Sequence, residues 1–268
     1  MTMSVADLPA TVPYRGNDGV VDWAGYHVAD EARFHSFLTG PVRARLHDAE
    51  ASDDFEAELR GLVTTGMASE FLRRFLAAVP DEPGWAVGEA VAECLLTEDS
   101  EREIVWPWNA NRDRRTPRAS LPGADLVGFC RMDGEALLLF GEVKTSEDRN
   151  TPPGVMYGNT GLIWQLQENA TRLDVQHALL RWLRARCNTT DLVELYRSAV
   201  TRYLSSGGKE ILIVGLLLRD TEPSERDISG RASALARQLE APTRVEVTAW
   251  YLPIPIAAWA DLLRRRAP

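Results

Sequence analysis

Three ionisable side chains converge within the stretch GADLVGFCRMDGEALLLFGEVKTS, residues 123–146: Asp125, Glu142 and Lys144. The stretch reads as two apolar strands, Ala124–Phe129 and Ala136–Lys144, on either side of Asp133-Gly134. That dipeptide favours a two-residue type I′ turn, because both central positions take positive φ. Counting outward equally from the turn sets Asp125 directly opposite Glu142. Residues two apart on a strand share a face, so Lys144 projects with Glu142. Like charges directly opposite destabilise a sheet. A hard divalent cation such as Mg²⁺ resolves the conflict, since it takes oxygen ligands and holds few protein carboxylates alongside water and phosphate. The lysine beside them is a compact positive charge, able to orient an attacking water or meet a phosphate oxygen.

Asp125, followed across a hairpin by Glu142-Val143-Lys144, resembles the signature of the PD-(D/E)xK nuclease superfamily, the restriction-endonuclease-like fold. The chain departs from that pattern in one place: Ala124 precedes Asp125, and the nearest earlier proline is Pro122. The resemblance implies hydrolysis of nucleic-acid phosphodiester bonds, most often DNA, with Mg²⁺ or Mn²⁺ as cofactor. It assigns Asp125 and Glu142 as metal ligands, the Val143 carbonyl as a further ligand and Lys144 to the attacking water. The family also carries a glutamate on the helix before the first core strand. The segment WAVGEAVAECLL, residues 85–96, has helical periodicity and bears Glu89 and Glu93 four apart on one face. Glu89, after Gly88, is the match, as catalytic residue and third carboxylate ligand, with Glu93 its competitor. Many members place a glutamine on the helix after the Glu-x-Lys strand. Gln165 matches that position, and Gln167 lies on a different side of the same helix.

Around this centre the chain reads as an α/β protein with a mixed sheet. A strand at Ile104–Trp108 precedes the hairpin. A long helix from about 160 to 186 and another at Asp191–Leu204 follow it. EILIVGLLL, residues 210–218, is apolar without alternation, as expected of a central strand covered on both faces. A helix to Leu239, a strand at Arg244–Leu252 and a helix at Ala257–Arg265 complete the order. This order resembles the αβββαβ core of the restriction-endonuclease-like fold. Residues 1–80 read as a helical N-terminal region, with a short strand or turn at Val20–Val28, and residues 81–268 as the nuclease-like domain.

Arg112, Arg114, Arg115 and Arg118 fall within one Pro- and Ser-bearing loop that leads into Asp125. Arginine forks match phosphate oxygens, so the loop is a candidate nucleic-acid contact; a solvated loop is the alternative. Tyr157 and Trp164 are candidates for stacking on a base. The net charge of −9 gives no global basic footprint, which counts against a passive nucleic-acid coat. Cys94, Cys130 and Cys187 are odd in number and widely spaced, fitting neither a zinc site nor a disulfide framework and pointing to a cytoplasmic chain. No apolar run approaches the ~18 residues of a membrane span. The helical N-terminal region, the Asp…Glu-Val-Lys core and the strand-Pro-helix ending resemble the Hachiman-type antiviral defence nuclease. That likeness implies a bacterial defence role and a helicase or other defence subunit as partner. The alternative is a catalytically silent nuclease-like scaffold.

Overall fold

A computed structural model of the chain describes residues 8–78, 83–98, 102–113, 123–132 and 134–264. The strands are β1 (Thr11–Asp18), β2 (Val21–His27), β3 (Glu103–Val105), β4 (Leu126–Met132), β5 (Glu135–Ser146), β6 (Ile211–Arg219) and β7 (Arg244–Tyr251). They form a mixed sheet of seven strands in the order β1-β2-β7-β6-β5-β4-β3. β3, β4 and β5 are antiparallel neighbours, whereas β5, β6, β7 and β2 run parallel. β1 closes the far edge antiparallel to β2.

Both faces of the sheet are covered, and β5 and β6 carry side chains for both. On one face Leu139, Val143, Leu212, Val214 and Leu216 pack with α1 (Glu31–Phe37), α2 (Arg43–Leu46), α5 (Gly84–Thr97) and α11 (Ile256–Arg264). On the other, Leu138, Phe140, Ile211, Ile213 and Leu217 pack with α7 (Leu162–Thr171), α8 (Leu173–Arg184), α9 (Thr190–Ser205) and α10 (Ser229–Ala236). All nine residues of β6 are buried, as its unbroken apolar run requires. α3 (Ala49–Leu62) and α4 (Gly66–Ala77) bury no residue, and α6 (Ala110–Asp113) is a single turn.

The first eighty residues are not wholly helical. Residues 11–27 form the β1–β2 hairpin, and β2 pairs in parallel with β7, so this stretch belongs to the common sheet. Pro41 does not end the first helix; a wider π-helical turn, Leu38–Val42, accommodates it between α1 and α2. The long helix expected from 160 to 186 is two helices, divided at Arg172, which is extended at φ −89° and ψ 109°. Gln176 explains the division. Its buried side-chain amide donates to the carbonyls of Asn169 (3.0 Å) and Ala170 (2.9 Å), which α7 leaves open at its C-terminus. Its oxygen accepts from Tyr203 Oη at 2.7 Å.

Gly141 precedes the Glu142-Val143-Lys144 segment and pairs with Val214 of β6. A Cβ there would lie 2.4 Å from the Val214 carbonyl oxygen, a backbone atom with no freedom to move aside. Gly141→Ala is therefore expected to lower stability by about 1–3 kcal/mol, read as a lower urea midpoint at unchanged slope.

Candidate active site

β4 starts at Leu126, opposite Gly141, but β5 runs on to Ser146. Met132 pairs with Glu135 at the other end, and Gly134 has φ +78°, as a two-residue turn demands; Asp133 lies outside the described residues. The register is thus the one obtained by counting outward from the turn. Beyond Leu126 a side chain continues the ladder. Asp125 N–H donates to the Gly141 carbonyl (3.0 Å), and Asp125 Oδ2 accepts from Val143 N–H (3.0 Å). One carboxylate oxygen is thereby anchored to the strand, and the carboxylate also shares a side-chain hydrogen bond with Glu142. The N–H and C=O of one strand residue lie on the same edge, so the Val143 carbonyl also faces the side that β4 has vacated.

Glu142 is 1% exposed. Burial, and next the neighbouring Asp125 carboxylate, push its carboxyl up to about 9; Lys144 and the Asn169 amide oppose the rise. Lys144 Nζ lies 3.6 Å from Glu142 Oε2, which is an ion-pair distance but not a hydrogen bond. Among the described residues Glu142 Oε2 and Gln165 Oε1 are buried without a hydrogen-bond partner. Gln165 and Asn169 are one turn apart on α7 and share a face. Asn169 thus faces Glu142, with Gln165 one turn away on the same helix face.

The other wall is α5. A Cβ on Gly88 would lie 2.7 Å from Thr145 Cγ2, so glycine at this position lets the helix approach β5 closely. Glu89 follows, buried at 8% exposure. A cleft of about 330 Å³ is lined by Trp85, Gly88, Glu89, Asp125, Val143, Lys144 and Thr145; Glu142 is not in this lining and projects to the α7 side of β5, toward Asn169. Glu93 does not reach the cleft. It forms a buried ion pair with Arg45 of α2, whose guanidinium also donates to the Trp108 carbonyl at 2.8 Å. That pair ties α5 to α2 and separates the two helix glutamates into different roles.

Arg112, Tyr157 and Trp164 do not line this cleft. Arg112 is engaged with Asp48 (3.1 Å) and Asp113 (3.6 Å), anchoring α6. Arg114, Arg115 and Arg118 lie outside the described residues. Tyr157 is 44% exposed with the Arg231 guanidinium 4.0 Å over its ring, and Trp164 is 39% exposed. The loop after Lys144 is tied down: Asp148 accepts from the N–H groups of Asn150 and Gly154, and Arg219 donates to the carbonyls of Asp148 and Asn150. Two residues of the site region are not legible in the sequence. Asn169 sits four residues after Gln165, a spacing that could have found it. Trp85, 42% exposed on the cleft, carries no local signal beyond its type.

The donor set is of hard oxygens: the second Asp125 oxygen, Glu142 Oε2 and the Val143 carbonyl, with Glu89 on the cleft wall. Among the described residues no three His, Cys, Asp or Glu side chains are grouped to hold a metal ion. Asp125, Glu142 and Glu89 therefore do not form the single three-carboxylate cluster expected. Mg²⁺ is commonly held by one or two carboxylates with water and phosphate, and the pair fits that demand. Among the described residues no helix is long and apolar enough to cross a membrane. Comparison with known proteins finds no matching family model, no matching curated protein and no matching solved structure.

The raised Glu142 carboxyl makes stability depend on pH. Its ordinary value, 4.5, applies to the unfolded chain, and the folded value is about 9. The folded chain holds the proton more tightly, so the contribution is fully present below the unfolded value and is lost as pH rises through the folded one. In metal-free buffer with EDTA, the native chain should lose stability relative to Glu142→Gln between about pH 5 and 8, by at most about 1.4 kcal/mol per pH unit. Melting curves of the two proteins across that range check this; parallel profiles would contradict it.

Proposed function

We propose that this chain is a metal-dependent nuclease of the restriction-endonuclease-like fold, hydrolysing phosphodiester bonds of nucleic acid, with DNA as the favoured substrate. One observation carries the reading: a buried carboxyl, Glu142, whose Oε2 accepts no hydrogen bond and has Lys144 Nζ at 3.6 Å, beside a second carboxylate, Asp125, with one oxygen anchored to Val143 N–H. The element order supports it. A helix (α5), three antiparallel strands (β3, β4, β5), a helix (α7) and a strand parallel to the third (β6) are compatible with the αβββαβ order, with α6 added before β4 and α8 and α9 added before β6.

Asp125, Glu142 and the Val143 carbonyl would hold Mg²⁺ or Mn²⁺, with Glu89 on the wall of the adjoining cleft rather than in the ligand set. When bound, the ion supplies Lewis acidity toward a phosphate oxygen and makes a nucleophile available from water at neutral pH. The chain's own groups do the rest. Asp125 is held in one position by Val143 N–H. Glu142 gives up its proton before it can act as a ligand. Lys144, 20% exposed on the cleft, offsets negative charge building on the phosphate and orients the attacking water. Gln165 and Asn169 supply polar contacts around Glu142, and Trp85 offers an aromatic face to a base next to the scissile bond.

The proposed function extends to a partner. A net charge of −9 leaves the chain poorly suited to gather nucleic acid alone. Phe55, Leu62, Met67, Phe71 and Phe75 are at least half exposed on α3 and α4, a surface suited to another subunit. A helicase that delivers the strand, as in a bacterial antiviral defence system, fits both features.

The test is cleavage of plasmid, linear DNA and RNA in Mg²⁺ or Mn²⁺ by the native chain, Glu142→Ala and Lys144→Ala. Cleavage by the native chain should fall on the order of a hundredfold or more in each variant, with the melting temperature of Lys144→Ala close to native. Equal cleavage by all three proteins would place the reaction elsewhere. No cleavage by any, coupled with no metal binding, would favour the silent scaffold.

A further inference from the structure

A second cavity, of about 300 Å³, lies on the α5 face of the sheet over β1, β2 and β7, away from the carboxylate cleft. Strand register defines its floor. Asp22 pairs with Glu246, Ala24 with Thr248 and Tyr26 with Trp250, so three successive rungs present their side chains to the same face. The outer rungs are four residues apart, about 13 Å at the rise of a strand. The middle rung has the two small side chains, and the depression lies over it.

The two ends differ in chemistry. At one, the Tyr26 and Trp250 rings stack on each other with centroids 4.5 Å apart and planes 16° from parallel. At the other, Arg102, 8% exposed at its side chain, donates to Glu246 Oε1 at 2.6 Å beside Asp22. Leu95 and Leu96 of α5 form an apolar side and Arg15 of β1 the opposite one. The lining holds two arginines and two carboxylates, so its formal charge is balanced. An anionic phosphate or a free ammonium gains no net attraction there. A planar ligand with an aromatic face and a neutral edge of donors and acceptors does: the face meets the aromatic rung, and the edge meets guanidinium and carboxylate groups.

We propose that this cavity binds a nucleobase, carried by a free nucleoside or by a single strand of nucleic acid. The inference rests on the cavity's own residues and does not depend on the nuclease reading.

The experiment titrates the full chain, in EDTA, with adenosine, guanosine, cytidine and uridine, then with short single-stranded oligonucleotides, by calorimetry. L-Tryptophan serves as an aromatic control without a base edge. Thr248→Leu and Ala24→Leu fill the middle rung, and Trp250→Leu removes the aromatic wall without filling it; circular dichroism and melting identify the variants that remain folded. At least one nucleoside or oligonucleotide should bind the native chain, on the order of tenfold more weakly to each folded variant. Binding of nucleosides identifies a free ligand, and binding of oligonucleotides alone identifies a base presented by a strand. No binding of either, equal binding of tryptophan, or binding unchanged in the folded variants would overturn the proposal.

Discussion

Two carboxyl groups share one end of the sheet, and the fold gives them different surroundings. Asp125 has one oxygen bonded to a backbone N–H and lines a cleft. Glu142 is 1% exposed, and among the described residues its Oε2 accepts no hydrogen bond, with Lys144 Nζ at 3.6 Å. A buried unsatisfied acceptor costs ~1–3 kcal/mol, and more if charged. Nothing in the packing of β5 requires this cost, since the strand could have continued the apolar sequence of Leu137 to Phe140. The proton that burial forces onto Glu142 lowers the cost in the metal-free chain. A cation held by both carboxylates, as proposed, would remove it differently, by compensating the charge.

The surrounding elements keep that pair in place. β5 outruns β4, which leaves the Val143 N–H for Asp125 and exposes one edge of the strand to the cleft. Gly88 lets α5 approach Thr145 closely enough to bring Glu89 and Trp85 to the same opening. The buried Arg45–Glu93 pair fixes the helix from its other side; removing either partner would strand a charge in the interior. Arg219, itself 1% exposed, pairs with Asp227 at 2.7 Å and holds the loop that follows Lys144. The cleft is thus built on rigid elements, as a site that orients charge requires.

The hairpin and its register are legible in the sequence because a two-residue turn leaves no freedom in counting. The double-sided burial of β6 is legible because a strand with one face in water would alternate apolar and polar residues, and this one does not. β1 is not legible. Its Gly16 suggests a loop, yet Gly16 pairs with Trp23 and Gly25 with Tyr14, and a Cβ at either glycine would collide with the aromatic ring opposite. Those glycines make room for cross-strand aromatics within a sheet, a tertiary reason that a local reading of turn residues misses. The break at Arg172 is hidden for the same kind of reason, since Gln176 looks like any helical glutamine until its amide meets the end of α7. In the site region, the positions of Asp125, Glu142 and Lys144 follow from register. Glu89 is distinguished from Glu93 only by the packing of α5 against α2.

The proton balance of metal binding probes the carboxylate pair itself. Mg²⁺ and Mn²⁺ are titrated into the metal-free chain by calorimetry near pH 7.5, in two buffers of different ionisation enthalpy. If the ion takes Glu142 as a ligand, binding must release close to one proton per site, because that carboxyl is protonated beforehand. The two buffers then give different apparent enthalpies, and Glu142→Gln abolishes both the binding and the difference. Binding without proton release, or binding that survives Glu142→Gln unchanged, would contradict a metal site at this carboxylate pair.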